Sequence, residues 1–405
     1  MQKLRAMVLA AALAGLAAAP AVKVTDEQVR RIHQEAIVVD THADTLWRVL
    51  DRGEDISVRT GAGHIDIPRL KEGGVDAEFF AIWVQPSYSP DHAARRALRL
   101  IDKLYQIVGR NSDRMVLAKS PDDIRAASEA GKVAALLGIE GGQAIENDLG
   151  VLRMFHELGV RYMTLTWSFG LDWADSSGGG SQWKGLNDFG VKVVAEMNRL
   201  GMLVDISHVS DDTFRDVMKV TKAPVIASHS SARALCDAPR NMTDDMLRAV
   251  RDNGGVVMIN FYSAFLDQAF RDRVKVVSEQ HKPELAAIGE KFLLDPVGRE
   301  NALWALHKKI DESITPPPFV RLIEHIEHVI KVAGIDHVGL GSDFDGVTSL
   351  PAGMEDVTKL PAITRALLER GYGESDVKKV LGGNFMRVFD EVTRRADPSR
   401  RDLRR

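Results

Sequence analysis

Residues 203–230, LVDISHVSDDTFRDVMKVTKAPVIASHS, contain the unit from which the fold class can be predicted. Two apolar runs, Leu203–Ile206 and Val225–Ala227, enclose the helix-like segment Asp211–Val220, and Ser210 followed by two acidic residues is typical of a helix start. A strand, a crossover helix and a second strand form a unit with parallel strands. The stretch therefore predicts a parallel sheet covered by helices, with a histidine after each of these two strands.

The same alternation continues on both sides of this unit. Six further apolar runs occur at Ile37–Asp40, Ala77–Val84, Val133–Ile139, Arg161–Thr166, Val256–Asn260 and His337–Leu340. Helix-like stretches lie between runs at Asp91–Val108, Leu186–Leu200, Thr243–Arg251 and Pro318–Val332. Eight strand–helix units predict the α/β class and a closed (β/α)₈ TIM barrel, with an open doubly wound sheet as the alternative.

One connection is much longer than the others. The segment Ser263–Pro317 exceeds an ordinary link between elements. We expect a helical insertion there, near the carboxyl ends of the strands and over the mouth of the barrel.

Composition narrows the class of function. The chain has 405 residues, 45% hydrophobic and 27% charged, with a formal net charge of −4, which is ordinary globular composition without a basic footprint for nucleic acid. Cys236 is the single cysteine, which excludes an intrachain disulfide and a cysteine-rich zinc module. The ligands of any metal must therefore be histidines and carboxylates.

The two ends of the chain differ from the rest. Residues 1–21, MQKLRAMVLAAALAGLAAAPA, combine a short positive region, an apolar stretch and small residues, as in a cleaved signal peptide. An uncleaved membrane anchor is the alternative, but the apolar stretch is shorter than the roughly 20 residues of a membrane span. We expect an exported protein, periplasmic or secreted, with no stable membrane span, a metallohydrolase domain over residues 22–393 and a disordered basic tail over residues 394–405.

Polar side chains collect where the apolar runs stop. His42 and Asp44 end the first run, Glu140 ends the third, and His208 and His229 follow the two runs of the opening stretch. The carboxyl ends of barrel strands meet at one mouth, so these side chains are expected to converge there. Each alone has a structural explanation, but together they suffice for two divalent ions that share Glu140, and zinc suits this donor set. The glycines after Glu140 are expected to leave space beside its carboxylate.

Three other polar residues receive plainer interpretations. His325 and His328 stand among charged neighbours in the segment EHIEHVIK, so both are expected on a solvated helix face. Asp40 is a candidate acceptor that holds a ligand imidazole in place, as metal sites commonly require.

Seven motifs together resemble one known family. They are VDTHADTL (39–46), LLGIEGG (136–142), YMTLTW (162–167), LVDISHVS (203–210), SHSSARALCDAPRN (228–241), NGGVVMINFY (253–262) and GLGSDFDG (339–346). Their sequence and order resemble those of the membrane (renal-type) dipeptidase family, the M19 metallopeptidases with an amidohydrolase-like barrel. The resemblance implies that His42 and Asp44 bind one zinc ion, that His208 and His229 bind the second, and that Glu140 bridges the two.

The resemblance also implies a reaction and a substrate. It makes the protein a zinc-dependent dipeptidase in which a metal-bridged hydroxide attacks the peptide bond, with Asp343 as general acid and base. Arg240 matches the arginine that binds the carboxylate of a small dipeptide-like substrate, and Tyr262 resembles a further carboxylate contact. The family also suggests a homodimer.

One residue departs from the family pattern. Trp167 stands where the family has a histidine that is thought to help bind substrate and stabilise the oxyanion. An indole donates one hydrogen bond but carries no charge. Two alternatives follow: an amidohydrolase acting on another small amide, an N-acyl amino acid, a β-lactam or a lactone, or a catalytically weak binding protein that retains its metals.

Overall fold

The computed structural model of the chain describes residues 24–89 and 91–397. These residues form nine strands: β1 (Val39–Ala43), β2 (Ala77–Trp83), β3 (Met115–Leu117), β4 (Val133–Glu140), β5 (Val160–Thr164), β6 (Leu203–Asp205), β7 (Ile226–Ala227), β8 (Val256–Ile259) and β9 (Val338–Leu340). The predicted signal peptide, residues 1–21, and residues 398–405 of the predicted tail lie outside the described residues.

Eight of the strands close into a parallel barrel. Their order is β1–β2–β4–β5–β6–β7–β8–β9, and β9 pairs with β1 to complete the ring. The short strand β3 runs beside the first residues of β4, with Met115 opposite Val133. The predicted TIM barrel is confirmed. The sequence pattern missed β3, because three residues are too few to show a strand period.

Helices surround the barrel and cover one end of it. The described residues form α1 (Asp26–Glu35), α2 (Thr45–Arg52), α3 (Ile67–Glu72), α4 (Ala93–Arg110), α5 (Pro121–Glu129), α6 (Leu149–Glu157), α7 (Asp188–Leu200), α8 (Asp211–Val220), α9 (Asp244–Asn253), α10 (Ser263–Leu266), α11 (Gln268–Gln280), α12 (Lys282–Lys291), α13 (Pro296–Glu312), α14 (Val320–Ala333), α15 (Pro361–Glu369), α16 (Glu374–Lys378) and α17 (Asn384–Arg394). The predicted insertion is confirmed as α10–α13.

Local sequence explains where several helices begin. The hydroxyl of Ser210 accepts a hydrogen bond from the amide of Thr213 at the start of α8. Thr243 caps α9 in the same way through the amide of Met246. A hydroxyl at this position satisfies a backbone donor that the helix itself leaves unpaired, so both predicted starts lie within one residue of the observed ones.

Aromatic side chains fill the barrel interior, and a helix closes one end of the barrel. Phe79 and Tyr162 lie inside the barrel with ring centroids 5.1 Å apart, and Phe385 of α17 packs 5.3 Å from Phe79. Arg387 of the same helix donates to the carbonyls of Gly254 and Asp336, which precede β8 and β9. Helix α17 therefore covers the amino-terminal end of the barrel, opposite the mouth.

Among the helices in the described part of the chain, none has the length and apolar character that a membrane crossing requires.

Candidate metal centre and active site

The five predicted metal ligands lie together at the mouth of the barrel. Nε2 of His42 is 3.4 Å from Oδ2 of Asp44 and 3.5 Å from Oε2 of Glu140. The other carboxylate oxygen, Oε1 of Glu140, is 2.9 Å from Nε2 of His208 and 3.5 Å from Nε2 of His229. Glu140 therefore lies between two pairs of predicted ligands, His42 with Asp44 and His208 with His229. All five side chains are buried.

The orientation of His42 is set by a buried tyrosine. Nδ1 of His42 is 2.7 Å from the hydroxyl of Tyr162, and that hydroxyl donates to the carbonyl of Thr41 over 3.1 Å. The tyrosine thus occupies Nδ1 of His42, and Nε2 is the nitrogen that faces Asp44 and Glu140. A side chain at Gly138 would meet the Tyr162 ring at 2.0 Å, so this glycine makes room for it.

A hydroxyl also orients His229. Its Nδ1 is 2.8 Å from the hydroxyl of Ser228, which donates to Asp205 over 2.5 Å. Thr164 donates to the same oxygen of Asp205. The serine proton is thus directed to Asp205, Nδ1 of His229 is the donor to Ser228, and Nε2 of His229 keeps its lone pair. Partners of this kind fix the tautomer of histidines that bind metals.

These residues fit a metal ion. Nε2 of His42, Oδ1 of Asp44 and Nδ1 of His208 are buried and have no hydrogen-bond partner. Two groups place ligand atoms within 4.8 Å of one another, His42–Glu140–His229 and His42–Asp44–Asp343. Imidazoles and carboxylates without a thiolate form a donor set that suits zinc and similar divalent ions.

A glycine from the last strand connection provides space at the carboxylates. A side chain at Gly346 would meet Oδ2 of Asp44 at 2.1 Å and Oδ1 of Asp343 at 2.3 Å. The glycines after Glu140 have a different role from the one expected. Gly141 adopts a φ of 98°, and a side chain at Gly142 would collide with Trp173. They therefore serve the turn and its packing, and Gly346 leaves the space at the carboxylates.

Asp343 faces the ligands from the connection after β9. Its Oδ2 accepts a hydrogen bond of 2.7 Å from Nδ2 of Asn260, which leaves Oδ1 toward Gly346 and Asp44. Asp343 and His208 both have a positive φ, 62° and 67°. Non-glycine residues adopt this conformation at a cost, and such strain is common at functional sites.

The ionisable groups at the centre are strongly perturbed. Burial would raise the pKa of Glu140, but the three imidazoles that face it hold that pKa well below its ordinary value. Burial, with a contribution from Arg240, lowers the pKa of His208 to about 4, so this imidazole is neutral. Burial, with the charges of Asp44 and Glu140, raises the pKa of Asp343 to about 8.

A cavity of about 560 Å³ opens above these groups. Arg240 lines it, and its guanidinium donates to the carbonyl of His229 over 3.1 Å and lies 5.6 Å from the ring of Phe265. Nε of Arg240 is buried without a partner, and burial lowers the pKa of this guanidinium to about 10. The side chain remains positive at neutral pH and has donors available for an anion.

Tyr262 and Trp167 also line the cavity. The hydroxyl of Tyr262 donates to Asp311 of α13 over 3.2 Å, so its proton is already used within the chain. Trp167 follows β5 with its ring 5.3 Å from that of Trp83 and 6.2 Å from that of His208. Seven of the nine predicted site residues thus line this cavity, and the other two, His42 and His229, lie beside Glu140 at its base.

Two other expectations were wrong. His325 is buried in α14, where its Nδ1 accepts from the amide of Ala232 and its Nε2 donates to the carbonyl of Leu266. Only His328 lies near the surface, paired with Asp244. Asp40 does not hold an imidazole: its Oδ1 accepts from the backbone amide of Ser342 over 2.8 Å.

Sequence reasoning gave no role to the residues that orient the ligands. Tyr162, Ser228 and Asn260 contact His42, His229 and Asp343 respectively, and Asp205 accepts the hydrogen bond of Ser228. Tyr162 and Thr164 are two positions apart in β5, so the strand period of two places both side chains on the same face, toward the barrel interior. Their partners are not local in sequence, however, and no pattern links them.

The chain is similar to known peptidases over almost its whole length. A family model described as membrane dipeptidase (peptidase family M19) matches residues 26–402. The crystal structure of the probable dipeptidase PvdM from Pseudomonas aeruginosa is 26% identical with a TM-score of 0.79, covering 91% of this chain and 98% of the other.

Two further structures have higher identity. The dipeptidase AC, a metallopeptidase of family M19, is 29% identical with a TM-score of 0.71 over 88% of this chain and 98% of its own. A metallopeptidase from Rhodobacter sphaeroides, liganded with a phosphinate mimic of the dipeptide L-Ala-D-Ala, is 29% identical with a TM-score of 0.70 over 88% of this chain and 100% of its own. The barrel, the buried histidine and carboxylate cluster and the family match agree, and the chain belongs to the membrane dipeptidase family, peptidase family M19.

Proposed function

We propose that the protein is a zinc-dependent dipeptidase that binds two ions per chain. His42 and Asp44 would hold one ion, His208 and His229 the other, and Glu140 both. Support comes from the position of Glu140, whose two oxygens face His42 on one side and the other two imidazoles on the other.

The observation that carries the proposal is the direction of two imidazole Nε2 atoms. Tyr162 and Ser228 occupy Nδ1 of His42 and His229 respectively, so that both Nε2 atoms face the carboxylate of Glu140. Structural histidines have no reason to be oriented in this way toward one carboxylate. The orphaned atoms Nε2 of His42 and Oδ1 of Asp44 are the ones that ligation would satisfy.

Different side chains around the predicted ligands would perform different steps of hydrolysis. Bound divalent ions would polarise the scissile carbonyl and lower the pKa of the attacking water toward about 7. Asp343, oriented by Asn260, would accept a proton from the water and deliver it to the leaving nitrogen. The water oxygen forms the new C–O bond as the C–N bond breaks, which yields a carboxylic acid and a free amine. Arg240 would bind the substrate carboxylate with its unused donors.

Metal binding and turnover test this proposal together. Protein stripped by a chelator and reloaded with zinc should hold two ions per chain and hydrolyse dipeptides, and chelator should abolish the activity. His208→Ala should bind fewer ions and lose turnover, whereas the matched surface variant His92→Gln should behave as the parent. A protein that binds no divalent ion, or one whose hydrolysis is indifferent to chelator, contradicts the proposal.

Trp167 favours a second candidate, hydrolysis of N-acyl amino acids. The neutral indole replaces an imidazole that could carry charge near the reacting carbonyl, and removal of an oxyanion donor typically costs about 10²–10³ in rate. A substrate that apolar contacts position, such as an N-acyl amino acid, would not need the hydrogen-bond donor that the histidine supplies in the family. Trp167→His should then raise the rate on dipeptides relative to that on N-acyl amino acids; an unchanged ratio counts against this candidate.

We also propose that the enzyme is exported and acts as a homodimer. Export rests on the sequence of residues 1–21, and dimerisation rests on the family resemblance. Fractionation of cells that express the full chain, with the amino terminus of the recovered protein sequenced, tests the first point. Light scattering of the purified protein tests the second.

A further inference from the structure

The cavity above the predicted metal centre is lined by several aromatic side chains. Four of the six tryptophans of the chain line it: Trp47, Trp83, Trp167 and Trp304. They form two ring pairs, Trp47 with Trp304 at 5.2 Å and Trp83 with Trp167 at 5.3 Å. A cavity of about 560 Å³ is of the size that accommodates drug-sized ligands. A dipeptide of two small residues would leave much of this aromatic surface in contact with water.

Three of the four tryptophans and the anion-binding group come from different halves of the barrel. Trp47 follows β1, Trp83 ends β2 and Trp167 follows β5, and these strands surround β4 in the continuous order β1–β2–β4–β5. Arg240 comes from the connection after β7, in the other half. The imidazoles connect the two, since the ring of His208 is 6.2 Å from that of Trp167 and the carbonyl of His229 accepts from Arg240. A substrate with its carboxylate at Arg240 and its scissile bond at the centre therefore extends its acyl half toward the tryptophans.

The insertion completes this wall of four tryptophans. Trp304 belongs to α13, and the same helix reaches across the mouth to Asp311, which accepts the hydrogen bond of Tyr262. Nε1 of Trp47 is already used, since it donates to the carbonyl of Asp345 over 3.0 Å. Nε1 of Trp83 is buried without a partner. The wall therefore offers mostly carbon, and the indole of Trp83 has a spare donor.

We propose that the preferred substrates carry a bulky aromatic group on the acyl side of the scissile amide and a free carboxylate on its amine side. Trp47, Trp83, Trp167 and Trp304 receive the aromatic group, and Arg240 binds the carboxylate. This inference rests on the proposed hydrolase function and adds the substrate class to it. An aromatic dipeptide and an N-arylacyl amino acid share this chemistry and differ only in the free amine.

Four matched compounds test the preference, all releasing alanine. Ala-Ala and Phe-Ala carry the amine, and propanoyl-Ala and 3-phenylpropanoyl-Ala are the same molecules without it. Zinc-loaded wild-type protein should show a kcat/KM about tenfold or more higher for a ring-bearing compound than for its ringless partner, because that ring is buried against the tryptophans. Faster hydrolysis of the amine-bearing pair identifies an aromatic dipeptide as the source of the aromatic group. Faster hydrolysis of the amine-free pair identifies an N-arylacyl amino acid.

Variants connect the preference to the wall. Trp304→Ala should lower kcat/KM for the ring-bearing compounds about tenfold and for the ringless ones less than about twofold, and Trp304→Phe should restore most of the difference. Trp183→Ala is the matched control, because Trp183 lies outside the cavity and is 38% exposed. It should leave all four values near those of the parent.

The outcomes separate this inference from the proposed function. Chelator-sensitive hydrolysis with equal kcat/KM for ring-bearing and ringless compounds overturns the substrate class and leaves the metallohydrolase intact. An equal loss on all four compounds in Trp304→Ala overturns the role of the wall. Absence of any chelator-sensitive hydrolysis overturns the proposed function, and the substrate class falls with it. The wild-type comparison decides the matter even if Trp304→Ala does not fold.

Discussion

At the scale of single residues, the chemistry depends on side chains whose second contacts fix their direction. Asn260 donates to one oxygen of Asp343. In the same way, the hydroxyls of Tyr162 and Ser228 contact Nδ1 of His42 and of His229. A donor without such support could turn away from the centre. The ligands and their supports therefore act as one set.

Asp343→Asn tests the proton transfer directly. The amide keeps the shape of the side chain but cannot accept and return a proton, so kcat should fall by about 10² or more. Bound zinc, measured by elemental analysis, should stay at the wild-type level. Full activity in this variant would remove Asp343 from the proton path.

Tyr162→Phe tests the support of His42. Without the hydroxyl, Nδ1 of His42 loses the partner that fixes its tautomer, and affinity for zinc should drop about 10–100-fold. Competition with a chelator of known affinity measures the change. Because the ring that fills the space beside Gly138 is kept, the melting temperature of the metal-free protein should change little. Unaltered zinc affinity would show that the tyrosine only fills space.

At the scale of elements, the loop that carries Arg240 depends on a helix far along the chain. His325 of α14 joins the amide of Ala232, early in that loop, to the carbonyl of Leu266 at the end of α10. Phe265 in α10 lies beside the Arg240 guanidinium. One buried, neutral imidazole thus holds together the two segments that form the carboxylate end of the cavity.

His325→Leu should disturb both stability and substrate binding. It leaves a buried amide and a buried carbonyl without partners, each costing about 1–3 kcal/mol, so the melting temperature should fall. KM for substrates with a free carboxylate should rise more than kcat falls, because Arg240 loses its position. His328→Gln, one turn along the same helix and nearer the surface, is the control. A stable His325→Leu protein with normal KM would contradict this account.

At the scale of the whole molecule, catalysis and stability are divided between the two ends of the barrel. The predicted metal ligands and the cavity lie at the mouth, and α17 closes the opposite end with Phe385 against Phe79. We therefore expect a substitution at one end of the barrel to leave the other end undisturbed.

Phe385→Ala tests this division. Removal of a fully buried phenylalanine should lower the free energy of unfolding by about 3–5 kcal/mol. kcat/KM of the protein that remains folded should stay close to wild type, since the change lies far from the mouth. Denaturant unfolding and steady-state kinetics at low temperature measure the two quantities. A large loss of specific activity in folded protein would show that the ends are coupled.

Stability should also depend on pH through Glu78. This β2 side chain is fully buried with both oxygens unpartnered, opposite Asp40 of β1. Burial raises the pKa of Glu78 well above its ordinary value, and Asp40 raises it further. The folded chain therefore holds the proton more tightly than the unfolded chain, whose pKa is about 4.3. This contribution to stability is complete below that pH and is lost as pH rises through the folded pKa.

Glu78→Gln should accordingly flatten the dependence. Between pH 5 and 8 the wild-type free energy of unfolding should fall more steeply than that of the variant, by at most about 1.4 kcal/mol per pH unit. The exposed variant Glu129→Gln should follow the wild-type curve. Parallel curves for wild type and Glu78→Gln would show that Glu78 does not titrate in this range.

The family and the general position of the site could be predicted from sequence because both depend on local order. Strand and helix periods identify the eight barrel strands, and residues such as His42 and Glu140 stand directly at strand ends. His325 shows the limit: its charged neighbours suggested a solvated face, although the buried Leu322 and Val329, one turn away on each side, share its face.

The barrel, the donors at its mouth and the family could be inferred from residue order, since hydrophobic periodicity and strand ends are properties of neighbouring residues. The packed fold was needed to show which hydroxyl orients which imidazole, which glycine leaves space at the carboxylates, and that four tryptophans line one cavity. His42 and Tyr162 lie 120 positions apart, and Thr45 and Asp345 lie 300 apart. Contacts over such separations depend on how packed elements meet, which no local pattern specifies.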